Sequence, residues 1–120
     1  MKNFIFVLSI SLFVIACKLN DKTPLLYGQW KGISWKVNGV ESDRNAKSVK
    51  FQFNDDRTYS TSYESEAEHG VYRLNFGNLY TTGENKIEKM VKLATLTADS
   101  MIMDMNRAGT SEQMTLVKTK

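Results

Sequence analysis

Few side chains in this sequence are equipped for chemistry, and the two most reactive kinds occur once each: one cysteine, Cys17, and one histidine, His69. A thiol becomes a nucleophile or metal ligand where a neighbouring base or cation lowers its pKa, yet Cys17 closes an uncharged run from Phe4 to Ala16. His69 follows Glu64, Glu66 and Glu68. General acid and base work needs titratable groups converging in a cleft, and three carboxylates with an imidazole could offer a weak contact to a divalent cation. The same residues also read simply as a solvated hairpin tip. No Gly-x-Ser-x-Gly elbow supplies a nucleophile for His69, so the chain is expected to be no enzyme and to carry no metal and no cofactor. What remains is binding chemistry. The hydroxyls of Tyr59, Tyr63 and Tyr72 need partners if buried and can orient the polar end of a ligand. The thioethers of Met101, Met103 and Met105, spaced two apart, can wrap varied apolar shapes or can be ordinary core.

Composition limits the setting for these groups. The chain has 120 residues, 42% of them hydrophobic and 24% charged, with a formal net charge of +3. That length supports one domain with one core. Lys and Arg are scattered from Lys18 to Lys120 without a cluster, which gives nucleic-acid binding no electrostatic footing. A single cysteine allows no disulfide within the chain.

Lys2 ahead of the apolar run has the form of a secretory signal, and the run is shorter than the roughly 20 residues that span a bilayer core. The sequence Val14-Ile15-Ala16-Cys17 resembles the lipobox of bacterial lipoproteins. That resemblance implies cleavage before Cys17, so that 1–16 is a removed signal peptide. It also implies a diacylglycerol on the Cys17 thiol and, in Gram-negative cells, acylation of the new amino group. Read without it, the residues are an ordinary export signal followed by an unrelated cysteine, or a buried apolar strand. Acyl chains contribute about 0.8 kcal/mol per buried methylene, so two or three would hold the protein on a membrane. Residues 17–24 then form the lipidated end and a polar tether closing at Pro24, the only proline, and 25–120 form the domain. Lys18 after the cysteine, with Asp21 the only nearby acid, points to the outer membrane and favours its periplasmic face.

The elements of the domain are short and alternate with period two. Leu25 to Asn38 is broken by Gly28 and Gly32 and closes on Asn38-Gly39, a strong turn pair. Ser48 to Phe53 returns with Val49, Phe51 and Phe53 on one face. Asn54 to Arg57 turns into Thr58 to Ser62, Glu64 to Glu68 is an acidic tip, and His69 to Phe76 carries Tyr72, Leu74 and Phe76 on one side. Leu79 to Thr82, Ile87 to Leu96, Met101 to Asn106 and Glu112 to Val117 complete eight strands. Ile87 to Leu96 mixes its parities and requires a bulge or a strand with neighbours on both faces. Trp35 falls on the opposite parity from Trp30, so Gly32 marks a bulge or one indole is exposed. Short sequential connections predict an all-β, antiparallel up-and-down barrel. Its inward set is Trp30, Phe51, Phe53, Tyr59, Tyr63, Tyr72, Leu74, Met101, Met103, Met105, Met114 and Leu116.

Gly28-Gln29-Trp30, the hairpin Phe51-Gln52-Phe53-Asn54-Asp55-Asp56-Arg57-Thr58-Tyr59 and the strand opening Gly70-Val71-Tyr72 resemble, in that order, the small lipocalin-like lipoproteins of Gram-negative bacteria. The resemblance covers most of 25–117. It implies that Gly28 bends the chain and Trp30 packs across one end of the barrel. Two features depart from the pattern: Asp56-Arg57 stands where Asp-Gly is common, and the Arg that covers the Trp in longer lipocalins has only Arg107 and Lys118 as positional candidates. Lipocalins carry small hydrophobic molecules, which makes Phe51, Tyr59, Tyr63, Tyr72, Met101 and Met103 the candidate ligand-facing residues, with a lipid anchor at Cys17 tying the barrel to a membrane. An eight-stranded barrel is just wide enough to be filled by side chains or to hold one small ligand. The alternative is therefore a filled barrel that engages a protein partner in the envelope.

Overall fold

The structure is a computed structural model and describes residues 21–119; Cys17 and the segment before it lie outside the described residues. Nine strands follow in sequence: β1 (Gly28–Val37), β2 (Val40–Glu41), β3 (Lys50–Phe53), β4 (Thr58–Tyr63), β5 (Glu66–Asn75), β6 (Asn78–Gly83), β7 (Glu88–Leu96), β8 (Ser100–Arg107) and β9 (Thr110–Thr119). β2 is a stub folded back on the end of β1, with Lys36 opposite Glu41. The other eight pair antiparallel with their chain neighbours, and β1 pairs with β9, so the sheet closes into an up-and-down barrel. Closure gives every strand of the ring a partner on both sides.

Two bulges reconcile the sequence pattern with the barrel. In β1 the register against β9 shifts between Gly32 and Ser34, which turns both Trp30 and Trp35 inward and leaves Ile33 half exposed. In β7 the shift lies between Leu93 and Thr95, so Val91, Leu93 and Leu96 all face the core while Met90 faces solvent. Cross-strand layers then build the interior: Leu93 lies opposite Met103, Met103 opposite Met114 and Met114 opposite Trp35. One layer nearer the other end, Leu96, Met101, Leu116 and Gly32 continue in the same way. Each large apolar side chain buried here contributes roughly 1.5–3 kcal/mol relative to exposure.

Gly32 ends its layer without a side chain because another segment occupies that place. A Cβ on Gly32 would lie 2.2 Å from the carbonyl oxygen of Ala46. Ala46 belongs to a short 3-10 turn, Ala46–Ser48, in the long β2–β3 connection, and this turn leans against β1 with Ala46 and Val49 buried. The strand predicted from Ser48 accordingly starts at Lys50.

A second 3-10 turn, Thr23–Leu26, plugs the opposite end, with Thr23 and Leu26 both buried. The last two residues of the stretch read as a tether therefore belong to the barrel, and the Asp21 carboxylate accepts bonds from the Thr23 amide and hydroxyl where the turn begins. Glu66 to Glu68, read as a hairpin tip, are the first residues of β5 and pair with Tyr63, Ser62 and Thr61. Thr and Tyr on β4 favour extended backbone enough to carry the pairing on through these acidic positions.

Candidate functional site

The ends of the barrel differ in chemistry. At the plugged end Gly28, at φ 122°, swings the chain from the turn into β1. Trp30 then lies across the base with 1% exposure, and its Nε1 donates to the Leu26 carbonyl at 2.8 Å. Lys118 sets its ammonium 4.9 Å from the Trp30 ring centre and donates to the Leu25 carbonyl at 2.9 Å. Of the two positional candidates for the cation over the indole, the structure selects Lys118. Arg107 sits at the far end, near Glu112.

The candidate ligand-facing residues distribute along the axis. Tyr72 is buried toward the plugged end, where its hydroxyl donates to the Asn54 carbonyl at 2.6 Å. Its ring meets Phe53 edge-on at 5.0 Å between centres, and Phe51 stacks on Phe53 at 5.6 Å. Met101 and Met103 are fully packed in the middle layers, at 0% and 2% exposure. Tyr59 and Tyr63 point toward the open end. Tyr63 packs edge-on against Trp35, ring centres 5.3 Å apart.

Around the open end the interior turns polar through residues that composition alone does not mark as special. Glu112 shares the inward parity of Met114 and Leu116 and is 3% exposed. Its carboxylate accepts from Trp35 Nε1 at 2.8 Å and from Arg44 at 2.9 Å, with Arg107 3.7 Å away. Arg44 comes from the β2–β3 connection and lies 5.0 Å over the Trp35 ring, tying that connection across part of the opening. On the other side, Glu68 accepts the Tyr59 hydroxyl at 3.0 Å and has Lys89 3.9 Å away. Among the described residues no buried side-chain nitrogen or oxygen lacks a partner.

Strand alternation divides the acidic cluster of the sequence. Glu66 and Glu68 turn inward with Tyr63 and Thr61, whereas His69 turns outward and meets Glu84 at 3.4 Å in an exposed pair. Among the described residues no group of three or more His, Cys, Asp or Glu is placed to hold a metal ion.

Beside Glu68 a cavity of about 470 Å3 opens, lined by Thr61, Tyr63, Glu66, Glu68 and Lys89 together with Ser62 and Ala67. The Tyr59 hydroxyl bonds to Glu68, one of its lining residues. Burial pushes the Tyr59 hydroxyl up to about 12, with the bond to Glu68 the next cause. A phenol that holds its proton longer when folded than when unfolded loses stability as pH climbs. The Tyr59 contribution to folding stability is therefore expected to be level below pH 10 and to fall between about 10 and 12, tracked by urea unfolding at successive pH values. Tyr59→Phe should flatten that decline, and an unchanged slope in the variant would assign the loss to other groups.

A family model for the lipocalin-like domain matches residues 26–103. No curated protein matches the chain. Two solved structures share the fold. One is a lipocalin-like protein from Bacteroides uniformis ATCC 8492, 16% identical, TM-score 0.60, covering 79% of this chain and 99% of that one. The other is described as an uncharacterized protein from Bacteroides eggerthii DSM 20697, 16% identical, TM-score 0.59, covering 78% of this chain and 99% of that one. With the closed barrel, the Trp30 base and its covering Lys118, these matches lead to one conclusion: the chain belongs to the lipocalin-like domain family.

Proposed function

We propose that this protein is a lipid-anchored barrel of the outer membrane, on its periplasmic face, that binds one small hydrophobic molecule at its open end. The observation that carries the binding half is the cavity of about 470 Å3 beside Tyr63, which falls in the usual range of ligand pockets, about 300–1,000 Å3. Its chemistry suits a small amphipathic molecule, with its apolar part against one wall and its polar groups at the rim. The Tyr63 ring, backed by Trp35, supplies an apolar wall. Thr61, Glu66, Glu68 and Lys89 supply donors and acceptors at the rim. Below, Trp30, Phe53, Leu79, Met101 and Leu116 make a packed floor, so the ligand seats in the mouth and does not run the length of the barrel. The anchoring half is supported by the lipobox-like Val14 to Cys17.

Displacement of a fluorescent fatty-acid probe by small hydrophobic competitors tests the binding. The wild-type chain is expected to take up the probe, and Tyr63→Ala to weaken uptake by about tenfold, or 1.4 kcal/mol. A chain that takes up no probe and carries no small molecule in native mass spectrometry would overturn the reading. The packed floor also favours a second reading, a filled barrel that engages a protein partner in the envelope. It requires a stoichiometric partner in a pull-down from native membranes.

A further inference from the structure

One apolar side chain is placed against every rule of burial and of turn chemistry. Phe76 is 96% exposed, while the other large exposed hydrophobics, such as Ile33, Val71 and Ile87, lie between 50% and 69%. It also occupies the first position of the two-residue β5–β6 turn, Phe76-Gly77, at φ 51°. A left-handed backbone there suits Asn, Asp or Gly. Of the other two turns of this form, Asn38-Gly39 follows that preference and Ala108-Gly109 departs from it with a small side chain only. A bulky aromatic is disfavoured twice at this site, by backbone strain and by contact with water, so the barrel itself gains nothing from it.

The location of Phe76 supplies the reason. The β5–β6 turn is at the plugged end, and Phe76 lines a groove of about 480 Å3 with Asp21, Lys22, Leu74, Leu93 and Leu96. The chain thus enters the fold beside Phe76. Cys17 precedes Asp21 by four residue steps, which reach about 14 Å when fully extended. An acyl anchor on Cys17 therefore holds the plugged end within about 14 Å of the bilayer surface. Aromatic and apolar side chains enter the headgroup boundary to a depth of roughly 5–10 Å.

We propose that Phe76 is a membrane-inserting tip that seats the plugged end of the barrel on the lipid bilayer and aims the open mouth away from it. The inference rests on the anchoring of Cys17 proposed above. The bilayer provides two holds on one end, a covalent lipid and an aromatic tip, which together restrict tumbling about the tether. Ligand then exchanges with the aqueous space and not with the lipid beneath.

The test uses the processed chain purified from membranes of a producing bacterium and reconstituted in vesicles of phosphatidylethanolamine and phosphatidylglycerol with brominated acyl chains. Intact mass first reports acylation. Phe76→Trp and, at the open end, Ile87→Trp each add one indole at an exposed site. The expected result is that the emission added by Phe76→Trp is largely quenched by the brominated lipid, while that added by Ile87→Trp is not. Acylated protein in which neither indole or both are quenched overturns the seating and leaves the anchor standing. So does a second copy of the chain shielding position 76. A mass without acyl chains overturns the anchor and this inference with it.

Discussion

Trp30→Ala is expected to destabilise the domain by about 3–5 kcal/mol, the range for removing a large aromatic from a packed core. The indole is 1% exposed and lies across the base of the barrel, so its loss leaves a cavity that the ring of strands cannot collapse to fill. Two further interactions go with it. The Leu26 carbonyl loses the Nε1 donor, and Lys118 loses the ring beneath its ammonium. Urea unfolding followed by circular dichroism measures the change. Lys118→Met separates the contributions, since it keeps the apolar stem but removes the bond to the Leu25 carbonyl, and is expected to cost about 1 kcal/mol. A loss below about 1 kcal/mol in Trp30→Ala would mean that the plug holds without the indole.

Glu112→Leu has the second largest expected effect, at the opposite end. The carboxylate is nearly inaccessible and satisfies a buried indole N–H and an Arg at once. Taking away one partner of a buried pair costs about 3–5 kcal/mol because the other is left uncompensated. Arg44 is 39% exposed and rehydrates in part, which lowers the expected loss to about 2–3 kcal/mol. Glu112→Gln keeps an acceptor for Trp35 Nε1 and is expected to cost about half as much. Combining Glu112→Leu with Arg44→Met should recover part of the loss, and a double-mutant cycle measures the coupling. Additive effects in that cycle would show that the two side chains act independently.

Much of this architecture is legible in the residues. Clean alternation in Val49-x-Phe51-x-Phe53 and Met101-x-Met103-x-Met105 sets two strand faces, and the turn pair Asn38-Gly39 sets a boundary. The conflict between Trp30 and Trp35 is itself informative, because only a bulge reconciles two indoles of opposite parity in one strand with one core. Glu112 was equally legible: it stands two residues before Met114 and four before Leu116, and period two places all three inside. The pull of composition hides it, since a glutamate is normally assigned to solvent. Arg44 is a different case. It sits on a long connection whose path is set by tertiary packing against Gly32 and Trp35, and no local pattern encodes that path. The acidic run before His69 misleads for the opposite reason. Charge density suggests a loop, but the backbone pairing of β4 with β5 runs through it.

The pairing of β1 with β9 has a kinetic consequence. Every other pair of ring neighbours is consecutive in the chain, with only the β2 stub and its long connection between β1 and β3, whereas this last seam joins Gln29 to Thr119 and Val37 to Glu112 across nearly the whole domain. Such non-local closure is slow, on the order of milliseconds to seconds for small all-β proteins. Until β9 is available, both outer strands present open edges that invite pairing with other chains. A chain synthesised from its N-terminus thus delivers β1 first and waits for β9. The rate at which the final strand docks sets how long each new molecule is exposed to aggregation.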